Sequence, residues 1–368
     1  MDTDTPRNRL GGLLLLLILL YCFFLGLDLI GLAFKLFGQD FAQNLIETTA
    51  DPFVGLLIGL LSTSLIQSSS TTTSMTVGLV AGGALTIEGA IPIIMGANIG
   101  TSVTNTLVSL AHVTRPEEFR RAFAGATIHD VFNWLAVLIL LPLEIRTGYL
   151  AHAAGFLESV VEGVGGIKLL NPLKEIVRPV AEKLSNLLGE SGALTLVLGV
   201  ILLFLALKYL VALLKVLLSS KAEEILHQTL FRSKMAAVFA GTAITVMVQS
   251  SSITTSVMVP LVAAGVVTLE RAFPFIIGAN IGTTITAMLA ALATGVPAAV
   301  SVAFAHLVFN LTGAMLIYTI PPIRAVPLAM ARWLGNLGSR NRPLAFVYIL
   351  VAFFALPLLL LFTAGTFG

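Results

Sequence analysis

The sequence predicts an all-α polytopic membrane protein made of two inverted-topology repeats, each with a re-entrant helical hairpin and discontinuous helices. Three observations carry that prediction: too little charge for a soluble chain, seven apolar runs of spanning length, and a polar word that occurs twice in matching surroundings. Of the 368 residues 57% are hydrophobic and 11% charged, against about 25% charged in a soluble domain. Mean hydropathy is +0.98. A core cannot hide that much apolar surface at this length, so the lipid bilayer is the solvent. Net charge is +2, without the basic block that a nucleic-acid partner would need. Cys22 is the only cysteine, which leaves no intramolecular disulfide and no thiolate metal cluster; it reads as an inert buried thiol.

A bilayer crossing takes about 20 apolar residues. Runs of that length fall at 10–34, 90–112, 122–145, 193–217, 270–294, 297–320 and 343–363. The first follows Arg7 and Arg9. It is longer than the roughly 7–15-residue apolar core of a signal peptide and ends in no small-residue cleavage site, so it reads as a retained helix. Two other stretches fit no crossing. Asp51-Pro52 opens about 14 apolar residues, QSSSTTTS follows at 67–74, and about ten apolar residues come after. Each arm is half a span, which predicts a hairpin with a polar tip over 51–84. QSSSITTS at 249–256 predicts the same over 235–265. Non-helical backbone at membrane depth is tolerated only inside protein or against a wet cavity.

Charge fixes the sides. Basic residues cluster at Arg7/Arg9, Arg115/Arg120/Arg121, Lys215/Lys221/Arg232/Lys234 and Arg324/Arg332/Arg340/Arg342. The positive-inside rule places all four clusters in the cytoplasm. The first hairpin must then enter and leave on the outer side, and the second on the inner side. The organisation expected is a first repeat over 1–145, an external loop with interfacial helices over 146–192 (with Glu158, Glu162, Lys168, Lys174 and Arg178), a second repeat over 193–320, and a cytoplasmic interfacial segment plus final helix over 321–368. The N-terminus is expected in the cytoplasm and the C-terminus outside.

The repeat is explicit. Gln67-Ser68-Ser69-Ser70 matches Gln249-Ser250-Ser251-Ser252 at an offset of 182, as do Thr86/Glu88 with Thr268/Glu270 and GANIGT at 96–101 with GANIGT at 278–283. After a shortening of five residues, His129 and Asn133 match His306 and Asn310. Inverted repeats whose broken helices meet near the midplane are a plan of secondary transporters.

Hydroxyls, amides and free backbone in a bilayer cost several kcal/mol each unless satisfied, so the tracts must face a site or protein. Each tip offers the N-terminus of its second arm, with unpaired N–H groups and partial positive charge. Serine and threonine hydroxyls can turn toward a tetrahedral anion. The Gln67 and Gln249 amides and the unwound carbonyls suit Na⁺. The hairpins contain no Arg or Lys, so an oxyanion at the tips needs mobile cations with it. The GANIGT glycines permit close approach or an unwound turn, with Asn98, Thr101, Asn280 and Thr283 supplying polar groups. Against this stand structural roles: threonines bonding back to their i−4 carbonyls, glycines packing helices, and His129 and His306 in structural hydrogen bonds. Asp130 is a functional candidate as an intramembrane carboxylate, though Leu307 stands at its counterpart position. Asp28 reads as facing protein near the outer end of its helix. Glu88 and Glu270 read as helix starts.

The segments QSSSTTTSMTVGLV, IPIIMGANIGTSVTNTLVSL, EEFRRAFAGATIHDVFNWLAVLILLP and QSSSITTSVMVPLVAAGVVTLERAFPFIIGANIGTTITAMLAAL closely resemble the type II sodium-dependent phosphate cotransporters, of the bacterial type. The resemblance covers most of the chain. It implies a plasma-membrane symporter, not an enzyme, that imports HPO4(2−) with co-transported Na⁺ by alternating access. It implies phosphate contacts from Ser68, Ser69, Ser70, Thr73, Ser250, Ser251, Ser252 and Thr255. Sodium contacts would come from Gln67, Gln249, Asn98, Thr101, Asn280 and Thr283. Animal members have a long disulfide-bonded external loop where this chain has 146–192, and continue past a further helix to a cytoplasmic tail. Electrogenic members carry an aspartate near the position of Thr114, which favours electroneutral transport here. A symporter of sulfate or a carboxylate, a channel and an intramembrane serine hydrolase are the alternatives. The last lacks a GxSxG elbow and a histidine paired with any one serine. Oligomeric state is not read from the sequence.

Overall fold

The computed structural model describes residues 6–163, 171–229 and 233–367. Lys168 and Arg232 lie outside these residues, as do the side chains of Arg7, Arg9, Lys174, Lys215 and Lys221. The described residues are mostly helical, with no strand among them. Seven helical segments among them are long and apolar enough to cross a membrane: Gly11–Phe37, Ile87–His112, Pro116–Thr147, Gly192–Leu213, Leu269–Thr294, Pro297–Tyr318 and Arg342–Ala364. They coincide with the seven runs read from hydropathy.

Helix α1 (Pro6–Phe37) is followed by the short α2 (Gln39–Thr49). Residues 43–49 meet α3 (Pro52–Ile66) at 96°. Asp51 fixes that corner: its carboxylate accepts from Phe53 N at 2.8 Å and Pro52 fills the first helical position, where its missing N–H is not needed. Helix α3 ends at Gln67 in the left-handed conformation, φ 56°. Ser68 is extended and N-caps α4 (Ser69–Ala81), its hydroxyl accepting from Thr71 N at 3.2 Å. The break is therefore two residues long, and serine is among the best residues for its second position. Across it Thr63 Oγ1 donates to Thr72 Oγ1 at 2.9 Å; in a continuous helix nine residues would separate them by about 13.5 Å. The arms fold back on each other as a hairpin.

The second half repeats this design. Helix α11 (Lys234–Val248) is capped by Ser233 and ends at Gln249 with φ 55°. Ser250 N-caps α12 (Ser251–Ser256), its hydroxyl accepting from Ile253 N at 3.3 Å. The chain runs on through Val257, at helical φ −63°, into α13 (Met258–Ala263).

The two hairpin bases lie at opposite ends of the crossing Ile87–His112. The first base joins that crossing directly at Ile87, and its Gly82 lies level with Gly31 of α1, a Cβ there falling 3.1 Å from Gly31 Cα. At the second base the Ala263 carbonyl accepts from Arg121 Nε at 2.7 Å. Arg121 stands near the start of α7 (Pro116–Thr147), just beyond His112. Other basic residues gather at the same end: Arg332 pairs with Glu270, and Arg342 Nη2 donates to the Thr114 carbonyl at 3.4 Å. Glu88 and Glu270 both occupy first helical turns, as expected. In the connecting segment, α8 (Tyr149–Gly163) precedes α9 (Asn171–Leu187), which is tied to α1 by Arg178 Nη1 and Asp28 Oδ1 at 3.3 Å.

GANIGT departs from the unwound turn that its glycines allow. Residues 96–101 are helical to the end of α5 (Ile87–Thr101), which steps at Ser102 into α6 (Val103–Ser109). In the second half α14 (Leu269–Thr294) runs through 278–283 without a break. The glycines instead let backbones touch. A Cβ on Gly96 would lie 1.9 Å from the Leu56 carbonyl, and one on Gly59 would lie 1.9 Å from that of Ile93. Gly278 and Gly241 stand in the same relation to the Val238 and Phe275 carbonyls, both at 2.0 Å. Each hairpin's first arm is thus clamped to its neighbouring span by small residues, the usual means of close approach in lipid.

Gly96→Ala and Gly278→Ala are each expected to lower stability by about 2 kcal/mol or more. Gly11→Ala, where the added methyl meets nothing within 4 Å, should leave the melting temperature in detergent unchanged or slightly raised. Equal melting temperatures for all three variants would refute the clamp.

Candidate functional site

The two tips face one cavity of about 490 Å³, lined on one side by Gln67, Ser68 and Ser70 and on the other by Gln249, Ser250 and Ser252. Thr71, Thr104 and Ser256 add hydroxyls, and Phe204, Leu207 and Lys208 of α10 (Gly192–Thr229) close a third wall. Six of the fourteen residues singled out from the sequence therefore meet around one space. Both breaks adopt left-handed backbone at a glutamine, and among the described residues Glu190 is the only other non-glycine with positive φ. That conformation costs about 1–2 kcal/mol for a residue with a Cβ, and such strain concentrates at functional sites.

The equivalent glutamines differ. Gln249 is buried, its Oε1 accepting from Thr286 Oγ1 at 2.7 Å and its Nε2 donating to the Val246 carbonyl at 2.6 Å. Gln67 is exposed. Thr104, the counterpart of Thr286 at the 182 offset, has a buried Oγ1 with no partner. One tip is locked to its span and the other is not.

The remaining eight residues do not line the cavity. Ser69 and Ser251 are buried in the first turns of the second arms, and their carbonyls accept from Thr73 and Thr255 at 2.8 Å each. Thr101 and Thr283 bond back to the Ala97 and Ala279 carbonyls at 2.8 and 3.1 Å. These four threonines behave as membrane threonines commonly do. Asn98 and Asn280 belong to a buried network that joins the halves. Thr255 Oγ1 also lies 3.0 Å from Asn105 Oδ1. Asn105 Nδ2 is 3.2 Å from His129 Nδ1, and His129 Nε2 is 2.7 Å from Asn280 Oδ1. Asn280 Nδ2 donates to Asn133 Oδ1 at 2.7 Å, and Asn133 Nδ2 to the Asn98 carbonyl at 2.7 Å. Asn98 Nδ2 reaches His306 Nε2 at 3.0 Å. With each amide donating onward, His129 is assigned as the neutral Nε2–H tautomer. Both histidines make structural hydrogen bonds, each to an asparagine of the opposite half. Asp130 is fully buried, and its Oδ2 accepts from the Tyr348 hydroxyl at 3.0 Å; it does not line the cavity.

Thr104, Thr286, Asn105 and Lys208 take part without having been singled out from the sequence. Asn105 lies seven residues after Asn98, on the same helical face, a spacing that could have flagged it. Lys208 stands inside a span that hydropathy treats as uniform, and an ionisable residue in a crossing is itself a signal. Among the described residues no group of three or more His, Cys, Asp or Glu could hold a metal ion.

The mouse sodium-dependent phosphate transport protein 2A is 37% identical over 93% of this chain and 66% of its own length. The human protein 2B is 33% identical over 95% of the chain and 64% of its length, and that of Pongo abelii 35% identical over 95% and 65%. The chain spans just under two thirds of these relatives. No solved structure matches it. The model of the Na+/Pi-cotransporter family matches residues 20–144 and again 202–326, segments that share the 182-residue offset and each contain one tip. With more than half of its length matched in this way, the chain belongs to the Na+/Pi-cotransporter family.

Proposed function

We propose that the chain is a sodium-coupled symporter that imports inorganic phosphate, holding the anion between the two hairpin tips. The observation that carries this reading is the convergence of Gln67, Ser68, Ser70, Gln249, Ser250 and Ser252 on one cavity. Hydroxyls on rotors and helix-start N–H groups suit a tetrahedral oxyanion, and the family and the names of its relatives supply phosphate and sodium. Ser70 and Ser252, with the capping Ser68 and Ser250, are the anion contacts. Ser69, Ser251, Thr73 and Thr255 form the turns behind them. Sodium takes oxygens at the tips, with Gln67 as the free amide ligand. Gln249 becomes a ligand once it leaves Thr286. Asn98, Thr101, Asn280 and Thr283 buttress the tips rather than contact the ion.

Two Na⁺ with HPO4(2−) make a neutral cargo, and each tenfold sodium gradient supplies about 1.4 kcal/mol per ion. Opposite hairpin bases and matching tips support an inverted repeat and alternating access. The gathering of Arg121, Arg332 and Arg342 at one end supports a cytoplasmic side there, with the N-terminus on the same side of a plasma membrane.

Proteoliposomes should take up labelled phosphate with an inward Na⁺ gradient and not with an inward K⁺ gradient, at a rate indifferent to imposed voltage. Sulfate or carboxylate uptake in place of phosphate would reassign the substrate, and flux without Na⁺ would remove the coupling. Ser70→Ala and Ser252→Ala should each raise the KM for phosphate by about 5- to 100-fold, the cost of one lost hydrogen bond to a charged ligand, in protein that melts normally. An unchanged KM in both would exclude those serines.

Thr286→Val leaves the Gln249 oxygen unpaired at a cost of about 1–3 kcal/mol, and should lower the melting temperature. On this reading it also shifts the sodium dependence of uptake, because the lock competes with the ion. A lower melting temperature with unaltered sodium dependence would confine Thr286 to structure.

A further inference from the structure

Neither hairpin tip carries a charge, yet the cavity between them does. Lys208, an exposed residue of α10, which crosses at Gly192–Leu213, is among the residues that line it. Among the described residues that line the cavity, Lys208 alone is ionisable; its neighbours there are amides, hydroxyls and apolar side chains. Its ammonium lies 6.0 Å from the ring centroid of Tyr209, at the outer limit of a cation–π contact. No carboxylate pairs with it among the described residues. The repeat does not explain it either. Its counterpart at the 182 offset is Gly26, where a Cβ would fall 2.8 Å from Leu203 N. A lysine inside a span is costly unless it pairs or faces water, and the groups opposite this one are those best suited to an anion.

We propose that Lys208 is the fixed counter-charge of the anion held between the tips, so that the protein itself balances one of the two charges of a phosphate dianion. The inference rests on the reading of the cavity as the phosphate site. It revises the expectation that mobile cations carry the whole compensation. The lysine belongs to the carrier rather than the cargo, so a neutral cargo of two Na⁺ and HPO4(2−) is unaffected. Lysine suits the task because its ammonium is a compact point charge on a flexible stem, able to follow the anion as the cavity changes shape.

The test uses Lys208→Cys and Lys208→Gln in proteoliposomes, with the full chain. Both should raise the KM for phosphate about tenfold or more, the loss of one charge-assisted hydrogen bond. Treating Lys208→Cys with aminoethyl methanethiosulfonate, which rebuilds a cationic side chain, should restore the KM. The uncharged methyl reagent should not, and wild-type protein, which carries Cys22, should respond to neither. A lysine that merely extends to the lipid headgroups would leave the KM unchanged in both variants, and that result overturns the inference while wild-type uptake stands. Equal restoration by the neutral reagent overturns it as well. Wild-type protein that takes up no phosphate with Na⁺ would overturn the site reading and this inference together.

Discussion

A polar group at membrane depth costs several kcal/mol unless it finds a partner inside the protein, and the two breaks at 67–68 and 249–250 make that constraint acute. A helix interrupted there frees N–H and carbonyl groups that hydrocarbon cannot solvate. Three features follow. The arms of each hairpin are short, because the break sits where a crossing would be half complete. The first arms are clamped to their spans through Gly59–Gly96 and Gly241–Gly278, whose carbonyl contacts leave no room for a Cβ. The tips face each other, so that the freed groups line a shared cavity instead of lipid.

The same constraint shapes what lies behind the tips. Asn105, His129, Asn280, Asn133 and Asn98 are all buried, and the hydrogen bonds among them pass from one half to the other. Each link broken would leave a buried group unpaired, at about 1–3 kcal/mol, so the network holds as a unit. It reaches the second tip through Thr255 and Asn105. Among the described residues the first tip has no equivalent of this bond, because Ala287 stands at the counterpart position of Asn105. Together with the Gln249–Thr286 bond this leaves the second tip fastened and the first comparatively free. Two halves with nearly the same words are thus held in different states.

Much of the fold was legible because hydropathy and length answer directly to the bilayer. The seven spans follow from runs of apolar residues, and the hairpins from arms too short to cross. That the QSSS words face a site or protein and not lipid followed from the cost of burying them; their convergence on one cavity is seen only in the fold. Local physics was less decisive where one residue type serves two purposes. Glycines in GANIGT could unwind a helix or admit a neighbour, and only the Leu56 and Val238 carbonyls at 1.9 and 2.0 Å decide for the neighbour. Thr101 and Thr283 carry hydroxyls that could bind an ion, but helical backbone offers each a carbonyl four residues back. Lys208 was hidden for another reason. Whether a lysine in a span meets a cavity or lipid depends on the rotation of α10, which is set by packing against α1, not by its own sequence.

The glutamines give the strongest link from backbone to chemistry. A helix that ends in left-handed backbone ordinarily places glycine there, with asparagine as the next choice, since a Cβ makes that conformation unfavourable. Six other positive-φ positions among the described residues are glycines, so the usual solution is available to the chain. Yet at both tips, in nearly identical geometry (φ 56° and 55°), the residue is glutamine. Backbone economy does not explain that choice twice. The side chain must contribute something that offsets the strain, and the structure displays two conditions of it: bonded to Thr286 and the Val246 carbonyl in one half, and exposed toward the cavity in the other. On the proposed reading, a carboxamide that either closes on its own span or offers its oxygen to the cavity would couple the occupancy of the site to the position of the hairpin. An ion that draws Gln249 outward would release the second tip, and an equivalent closure of Gln67 on Thr104 would fasten the first.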